Sequence, residues 1–378
     1  MESIRLDQYR ELIGNLRIAE PLHTVRQKVL LHQRITVDDA ILLYETADLS
    51  LLSLLSGYVC ASKNAESVYF NKNFHIEPTN LCVYSCRFCS YHKKGGEPGG
   101  WELGPDQIIE KVKNYVGRDV TEVHIVGGVH PKWDIKYYGE LIRRVKEILP
   151  SIHVKAYSAI ELEYVIRKAN LSYREGLRKL KGYGLDSIPG GGAEIFDREV
   201  REKICPDKAT GEQWLAIHEA AHLEGIPSNA TMLYGHIESY RHRARHMEAI
   251  RALQDKTGGF NCFIPLKFRA ENNSMSFLGE TNLVEDLRNY AVSRIFFDNI
   301  THIKAYWPML GKANTKLALA FGVDDIDGTI DDTTKIYSMA GAEDQRPSMT
   351  VDDLVGMVRG VGKNPVERDS LYRAIRAY

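Results

Sequence analysis

Apolar residues recur every three or four positions through the first 65 residues, in LDQYRELIGNLRIAEPLHTVRQKVLLHQ and then in TVDDAILLYETADLSLLSLLSGYVCA. That period predicts helices. Thr36 followed by Asp39 marks one helix start, with an acidic residue standing where a capping box usually places Glu or Gln. From about residue 73 the rhythm changes. Short apolar runs now alternate with amphipathic stretches: FHIEPT, EVHIVGG, IHVKAYS, LDSIPGGG, PSNATMLYG, CFIPLKF, NITHIKAYW and FGVDDIDG read as strands. Between them the pattern predicts helices near 105–116, 136–148, 172–182, 211–224, 239–256, 282–296 and 311–320.

Eight strands alternating with helices predict an α/β protein built as a parallel (β/α)8 TIM-type barrel, with a doubly wound open sheet as the alternative. Residues 1–72 form an N-terminal helical extension in this reading, 73–330 the barrel, and 331–378 a C-terminal helical extension that carries TVDDLVGMVRGVG and a basic end, ERDSLYRAIRAY. In such barrels the chemistry gathers at the carboxyl ends of the strands. GGVHP, PGGGAE, YGHIE and LKFRAENN lie at or just after strand ends and are expected to share one mouth.

Charge narrows the function. Lys plus Arg (49) nearly balances Asp plus Glu (50) for a formal net charge of -1, which offers no general attraction to nucleic acid or to an anionic membrane. No run of about 18 apolar residues predicts a membrane span. The N-terminus has no apolar signal core, so a cytoplasmic small-molecule enzyme is expected. Cys60, Cys205 and Cys262 are scattered and read as buried free thiols.

The other three cysteines are not scattered. Cys82, Cys86 and Cys89 stand in CVYSCRFC directly after the FHIEPT strand. Thiolates bind soft metals, and a four-iron cluster takes one ligand per iron, so three leave one iron open to a small molecule. Zinc is the competitor, with His92 as a possible fourth ligand. A redox pair of Cys86 and Cys89 would leave Cys82 unexplained. The run resembles the signature of the radical S-adenosylmethionine superfamily, with an aromatic residue, Phe88, before the last cysteine.

That resemblance implies a [4Fe-4S] cluster on the three thiolates, with S-adenosylmethionine chelating the fourth iron. It also implies cofactor roles by position. Gly127 and Gly128 would let backbone approach the methionyl group, although two glycines after a strand also simply make a turn. Glu194, and more weakly Ser158, would face the nucleoside. Lys208 or Arg201 would neutralise the methionyl carboxylate. Gly235 and Glu238 match the strand that packs beside adenine. His130 faces substrate or only caps its loop.

A wider set of motifs resembles the aminofutalosine synthase family of menaquinone biosynthesis. FNKNFHIEPTNLCVYSCRFCSY, GGVHP, IPGGGAEIF, ICPDKAT, NATMLYGHIE, FIPLKFRAENN, MAGAE and NPVERDSLY spread from residue 70 to 372. Dehypoxanthine futalosine cyclase and the F0-forming enzymes share this scaffold and stay open as alternatives. HIEPTN and GTIDDTTKIYSMAGA lean toward the synthase, while Asp331-Asp332 departs from the Glu expected there. The resemblance implies addition of a 5′-deoxyadenosyl radical to 3-[(1-carboxyvinyl)oxy]benzoate, an aryl enol-ether dicarboxylate. It also implies an external one-electron donor such as flavodoxin or ferredoxin. Such a substrate needs cations. Lys267 and Arg269, two apart at the end of a strand and so expected on one face, are the candidates. His236 joins them at the mouth, and His236 and Arg269 are assigned the catalytic roles. Tyr306 and Trp307 would wall an aromatic ring or fill the core.

Overall fold

The computed structural model describes residues 2–330, 335–342 and 347–378. Four helices open the chain: Glu2–Asn15, Leu22–Leu30, Val37–Thr46 and Leu49–Asn64. Thr36 and Asp39 form the expected reciprocal cap on the third, and Asp48 caps the fourth. The fourth helix packs against Leu283–Phe296, and Tyr44 donates a buried hydrogen bond to Asn289 (2.6 Å), which fixes these helices to the body.

Ten strands follow among the described residues: β1 (Ser67–Asn71), β2 (Asn73–Ile76), β3 (Glu122–Ile125), β4 (His153–Ala156), β5 (Ser228–Tyr234), β6 (Phe260–Lys267), β7 (His302–Ile303), β8 (Asp325–Gly328), β9 (Asn364–Arg368) and β10 (Ala374–Ala377). All pairings are parallel except β10 with β9. The connections between β2 and β8 run through helices, as parallel strands require. With both faces covered, β2 and β5 are buried along their whole length.

The expected closed barrel is not formed as a continuous ladder; among the described residues there are three sheets, β10-β9-β1-β8, β2-β3-β4 and β5-β6-β7. The expected strand in LDSIPGGG is reduced to single bridges, Ser187 with Lys155 and Ile188 with Ser228. Pro189 lacks the N–H that a ladder needs, and the three glycines behind it add no side chain to pack. β7 is two residues long and reaches β8 only through a Lys304–Asp325 bridge. Architecture and strand direction are α/β and parallel, and sheet closure is where expectation and structure part.

The C-terminal segment also departs from a purely helical extension. One helix, Val351–Arg359, is followed by β9 and β10. Glu367 and Arg368 of NPVERD are not a solvated end: Glu367 pairs with Lys72 just past β1 (2.8 Å) and Arg368 with Asp325 of β8 (2.5 Å). β9 runs parallel beside β1, from Ser67↔Asn364 to Phe70↔Glu367. The Asp331-Asp332 departure lies outside the described residues. Among those described, no helix is long and apolar enough to cross a membrane.

Candidate active site

The parallel strands point their carboxyl ends toward a cavity of about 290 Å³. Cys82, Cys86 and Cys89 line one wall of it. Their loop is held by its neighbours on several sides. The Lys94 ammonium donates to the carbonyls of Cys82, Val83 and Tyr84 at 3.1, 2.7 and 3.1 Å. The Val129 N–H points at the Cys82 sulfur (3.4 Å), Arg87 N–H binds the Ile204 carbonyl (2.8 Å), and the Ser90 hydroxyl binds the Glu271 carbonyl (2.6 Å). Burial pushes the Cys86 and Cys89 thiols up, against the pull of nearby Lys208. A bound metal centre reverses such a shift, because a coordinating thiol is deprotonated outright.

The donor set fits an iron–sulfur cluster: three thiols on one cavity wall in a loop already shaped by Lys94. It does not favour zinc with His92. The His92 Nδ1 lies 3.0 Å from the Cys89 carbonyl oxygen, and among the described residues no three His, Cys, Asp or Glu side chains gather closely enough to hold one ion.

Gly127 and Gly128 line the cavity, and their size is set by the cysteine loop behind them. A Cβ on Gly127 would sit 2.7 Å from the Thr79 carbonyl oxygen, and one on Gly128 2.3 Å from that of Leu81. Both obstacles are backbone, so the loop itself must shift. Gly128→Ala is expected to destabilise the fold by about 1–3 kcal/mol, the usual range for overpacking. The urea midpoint would show it, together with lower iron uptake on reconstitution.

Ser158 caps the helix Ala159–Lys168 and shares its bonds with Glu161, whose carboxylate accepts from the Ser158 N–H and hydroxyl, both at 2.7 Å. Burial lifts the Glu161 carboxyl to about 7, against those bonds and one from the Gly127 backbone. Across the cavity Glu194 pairs with Lys208, and the Lys208 ammonium also sits 5.5 Å over the Phe88 ring. Burial opposes both charges, yet each partner holds the other ionised: Glu194 stays below its usual range and Lys208 above. Glu194 occupies the left-handed region at φ +47°, which is costly for a residue with a Cβ. Arg201 keeps it there by donating to the carbonyls on either side, Ala193 (2.6 Å) and Ile195 (3.2 Å). Arg201 is therefore a bracket behind the wall and does not line the cavity.

Several sequence assignments fall elsewhere. Gly235, His236 and Glu238 form a turn that does not line the cavity. Gly235 is needed for its φ of +91°, and Glu238 accepts from the N–H groups of Gly235 (2.6 Å) and His236 (2.9 Å) while pairing with Arg243. The His236 ring is buried, with Nε2 3.1 Å from the Leu233 carbonyl, so it has no face toward the mouth. Lys267 and Arg269 do not share a surface, because the strand ends at Lys267 and its alternation ends with it. Lys267 turns to Asp286 (2.8 Å) and the Thr281 carbonyl (2.7 Å), whereas Arg269 lines the cavity. His130 binds Glu102 (2.7 Å) and stacks on Trp133, off the cavity. Trp307 is core, its indole N–H on the Gly328 carbonyl, while Tyr306 lines the cavity.

Arg269 has one arm on the Gly341 carbonyl (2.6 Å) and another on Glu280 (3.2 Å). Its Nε is buried and has no hydrogen-bond partner among the described residues. The cavity floor was not anticipated at all. It holds two ion pairs, Lys155 with Glu122 (2.7 Å) and Lys304 with Asp327 (2.6 Å), beside His124. Glu122 and His124, two apart in an apolar strand, carried the available signal: both point to the same side.

Residues 76–250 match the family described as Radical SAM superfamily, and residues 257–377 match the CofH/MqnC C-terminal region. The chain is 42% identical to an aminodeoxyfutalosine synthase of Thermus thermophilus, over 94% of this chain and 96% of that protein. It is 38% identical to one of Streptomyces coelicolor, over 94% of each. A 5-amino-6-(D-ribitylamino)uracil–L-tyrosine 4-hydroxyphenyl transferase of Methanothermobacter thermautotrophicus is 33% identical, over 94% of this chain and 99% of that one. Among solved structures, methylornithine synthase superposes with a TM-score of 0.72 at 17% identity, covering 90% of this chain and 97% of that one, which speaks to fold alone. With the three cysteines set on the cavity wall and relatives matched along nearly its whole length, the chain belongs to the radical SAM superfamily and is an enzyme of that family, whose members imply a [4Fe-4S] cluster and S-adenosylmethionine.

Proposed function

We propose that this enzyme is an aminodeoxyfutalosine synthase. The reaction joins the 5′-deoxyadenosyl carbon of S-adenosylmethionine to the vinyl carbon of 3-[(1-carboxyvinyl)oxy]benzoate. After rearrangement, the carboxylate is lost as a one-electron-reduced fragment that gives back the electron and, with one water, leaves as bicarbonate; 6-amino-6-deoxyfutalosine and methionine are released, a step toward menaquinone. The observation that carries this reading is the identity to two proteins of that name over nearly full length. When bound, the cluster on Cys82, Cys86 and Cys89 supplies the electron that cleaves S-adenosylmethionine, drawn from a donor such as flavodoxin or ferredoxin.

The chain's own residues then bind, orient and exclude water. Glu194 and Lys208 are a fixed ion pair suited to the polar ends of S-adenosylmethionine, and Ser158 with Glu161 offers acceptors to its ribose. Phe88 and the glycines at 127, 128 and 191 shape the wall between them. Arg269, whose buried Nε has no partner among the described residues, is suited to a substrate carboxylate, since a guanidinium binds that group in matched geometry. The primary radical attacks most C–H bonds, so the site must hold the alkene close and dry. Tyr306 offers the aryl ring an apolar face. Arg269→Ala is expected to raise KM for the aryl substrate by about 10–100-fold, the size of a lost hydrogen bond to a charged group. Initial rates at low substrate would show it.

We also read β2-β3-β4, β5-β6-β7 and β8 as arcs of one (β/α)8 barrel over 73–330, joined through the bridges at Ser187, Ile188 and Lys304. Cytoplasmic location, and no role for nucleic acid or membrane, accompany that reading.

The test is anaerobic turnover with the enol-ether benzoate and S-adenosylmethionine, followed by mass spectrometry. A nucleoside product carrying the aryl group supports the proposal. Free 5′-deoxyadenosine with untouched aryl substrate overturns it. The 33% identity to a tyrosine 4-hydroxyphenyl transferase supports a second reading, and the same assay with L-tyrosine and the ribitylaminouracil distinguishes it.

A further inference from the structure

Residues 335–342 form a short strap across the cavity, and three of them, Ile336, Tyr337 and Ala340, line it. Its own bonds make one compact turn, with Met339 N–H on the Lys335 carbonyl (2.8 Å) and Ala342 N–H on that of Tyr337 (2.9 Å). Three groups from two loops, one after β2 and one after β6, hold the turn down. The Glu77 carboxylate, just past the end of β2, accepts from the backbone N–H groups of Lys335 (2.9 Å) and Ile336 (3.2 Å). Asn272 donates to the Met339 carbonyl (2.8 Å), and Arg269 to that of Gly341. Gly341 sits at φ +86°, and a Cβ there would lie 2.4 Å from the Glu271 side chain, so the strap is seated closely.

Beneath it Tyr337 meets Tyr306, with ring centroids 4.9 Å apart at 56°. Neither Glu77 nor Tyr337 belongs to the cysteine loop or to the glycine turn, and Glu77 does not line the cavity. HIEPTN and KIYSMAGA, distant in sequence, thus meet physically through one carboxylate.

We infer that Glu77 is a positioning residue that closes the cavity by anchoring the 335–342 strap, and that Tyr337 on this strap forms with Tyr306 the aromatic wall against which an aryl acid is selected. The substrate class rests on the proposed synthase reading, whereas the anchoring does not. A carboxylate receiving two adjacent backbone N–H groups is a strong, charge-assisted clamp. Releasing it lets the strap lift, which lowers affinity for the aryl acid and admits water to the radical site.

The experiment compares wild type, Glu77→Ala, Glu77→Gln and Tyr337→Leu. Hydrogen exchange is read on the strap peptide of each protein as purified, without substrate. Kinetics then give KM for the aryl acid and for S-adenosylmethionine, and the ratio of free 5′-deoxyadenosine to coupled product. In Glu77→Ala the strap should exchange at least about tenfold faster, as expected for losing a hydrogen bond to a charged group. Its KM for the aryl acid should rise much more than that for S-adenosylmethionine, with more free 5′-deoxyadenosine per turnover. Glu77→Gln, which keeps one acceptor oxygen, should recover part of both effects. Tyr337→Leu should raise KM for the aryl acid while leaving exchange near wild type. Unchanged strap exchange in Glu77→Ala would overturn the anchoring. Faster exchange with no change in KM for the aryl acid would overturn the selective role. If wild type ignores the enol-ether benzoate altogether, the synthase reading fails, and with it the aryl-acid class; the exchange data still decide the anchor.

Discussion

Cys86→Ala is expected to give a folded protein that takes up little iron or sulfide on anaerobic reconstitution and lacks the brown colour of an iron–sulfur cluster. Turnover should fall by more than about a thousandfold, because no other group in the cavity can deliver the electron that lowers the barrier to cleaving S-adenosylmethionine. Cys82→Ala and Cys89→Ala should behave alike. Cys60→Ala and Cys262→Ala are the controls: both thiols are buried and neither lines the cavity. Iron and sulfide assays, the visible spectrum and product formation read the difference. If Cys86→Ala retained wild-type iron and activity, the three-thiolate site would have to be abandoned.

The second large effect concerns the fold. Arg294 is fully buried against Asp324, and the same aspartate receives His302 Nδ1 (2.7 Å), the Asn64 amide (2.6 Å) and the Ile303 N–H (2.8 Å). Asp324→Ala takes the shared acceptor from all four partners at once and leaves the buried Arg294 guanidinium without a counter-ion among the described residues. A loss of about 3–5 kcal/mol is expected, the cost of breaking a buried pair from one side. Urea unfolding checks it. The same cluster predicts the acid behaviour. Burial works against ionisation of Asp324, but Arg294 and His302 overcome it and hold the carboxyl below its ordinary value of 3.8. A depressed carboxylate stabilises the fold above its unfolded pKa, and that stability is lost as pH falls through the folded value. Wild-type stability should therefore drop steeply below pH 3.8, and the drop should be shallower in Asp324→Ala.

Much of this was legible in the chain because periodicity reports directly on packing. The helices near 136–148 and 239–256 lie within about a residue of the observed Ile135–Ile148 and Tyr240–Thr257, since each has one apolar face and a clear cap. The cysteine loop and Arg269 were legible because their residue types are chemically unusual at strand ends. Failures have particular causes. His236 and Lys267 carry the same kind of signal, but turn chemistry and a buried partner, Asp286, take them out of the cavity. Lys94 was missed because a lysine after the cysteines looks solvated, and only three-dimensional convergence brings three carbonyls to it. β9 was hidden because Glu367 and Arg368 read as polar, while their partners Lys72 and Asp325 lie far away in the chain.

That last pairing carries a consequence for how the molecule is made. β1 is made long before β9, which fills one of its two hydrogen-bonding edges. Until then a strand edge of SVYFN stands open, and open edges recruit other chains. Pairings that span so much sequence also form slowly. Expression at lower temperature or with chaperones should thus improve yield more than any adjustment of the cavity, because the vulnerable species is the nascent chain in which β1 still waits for β9.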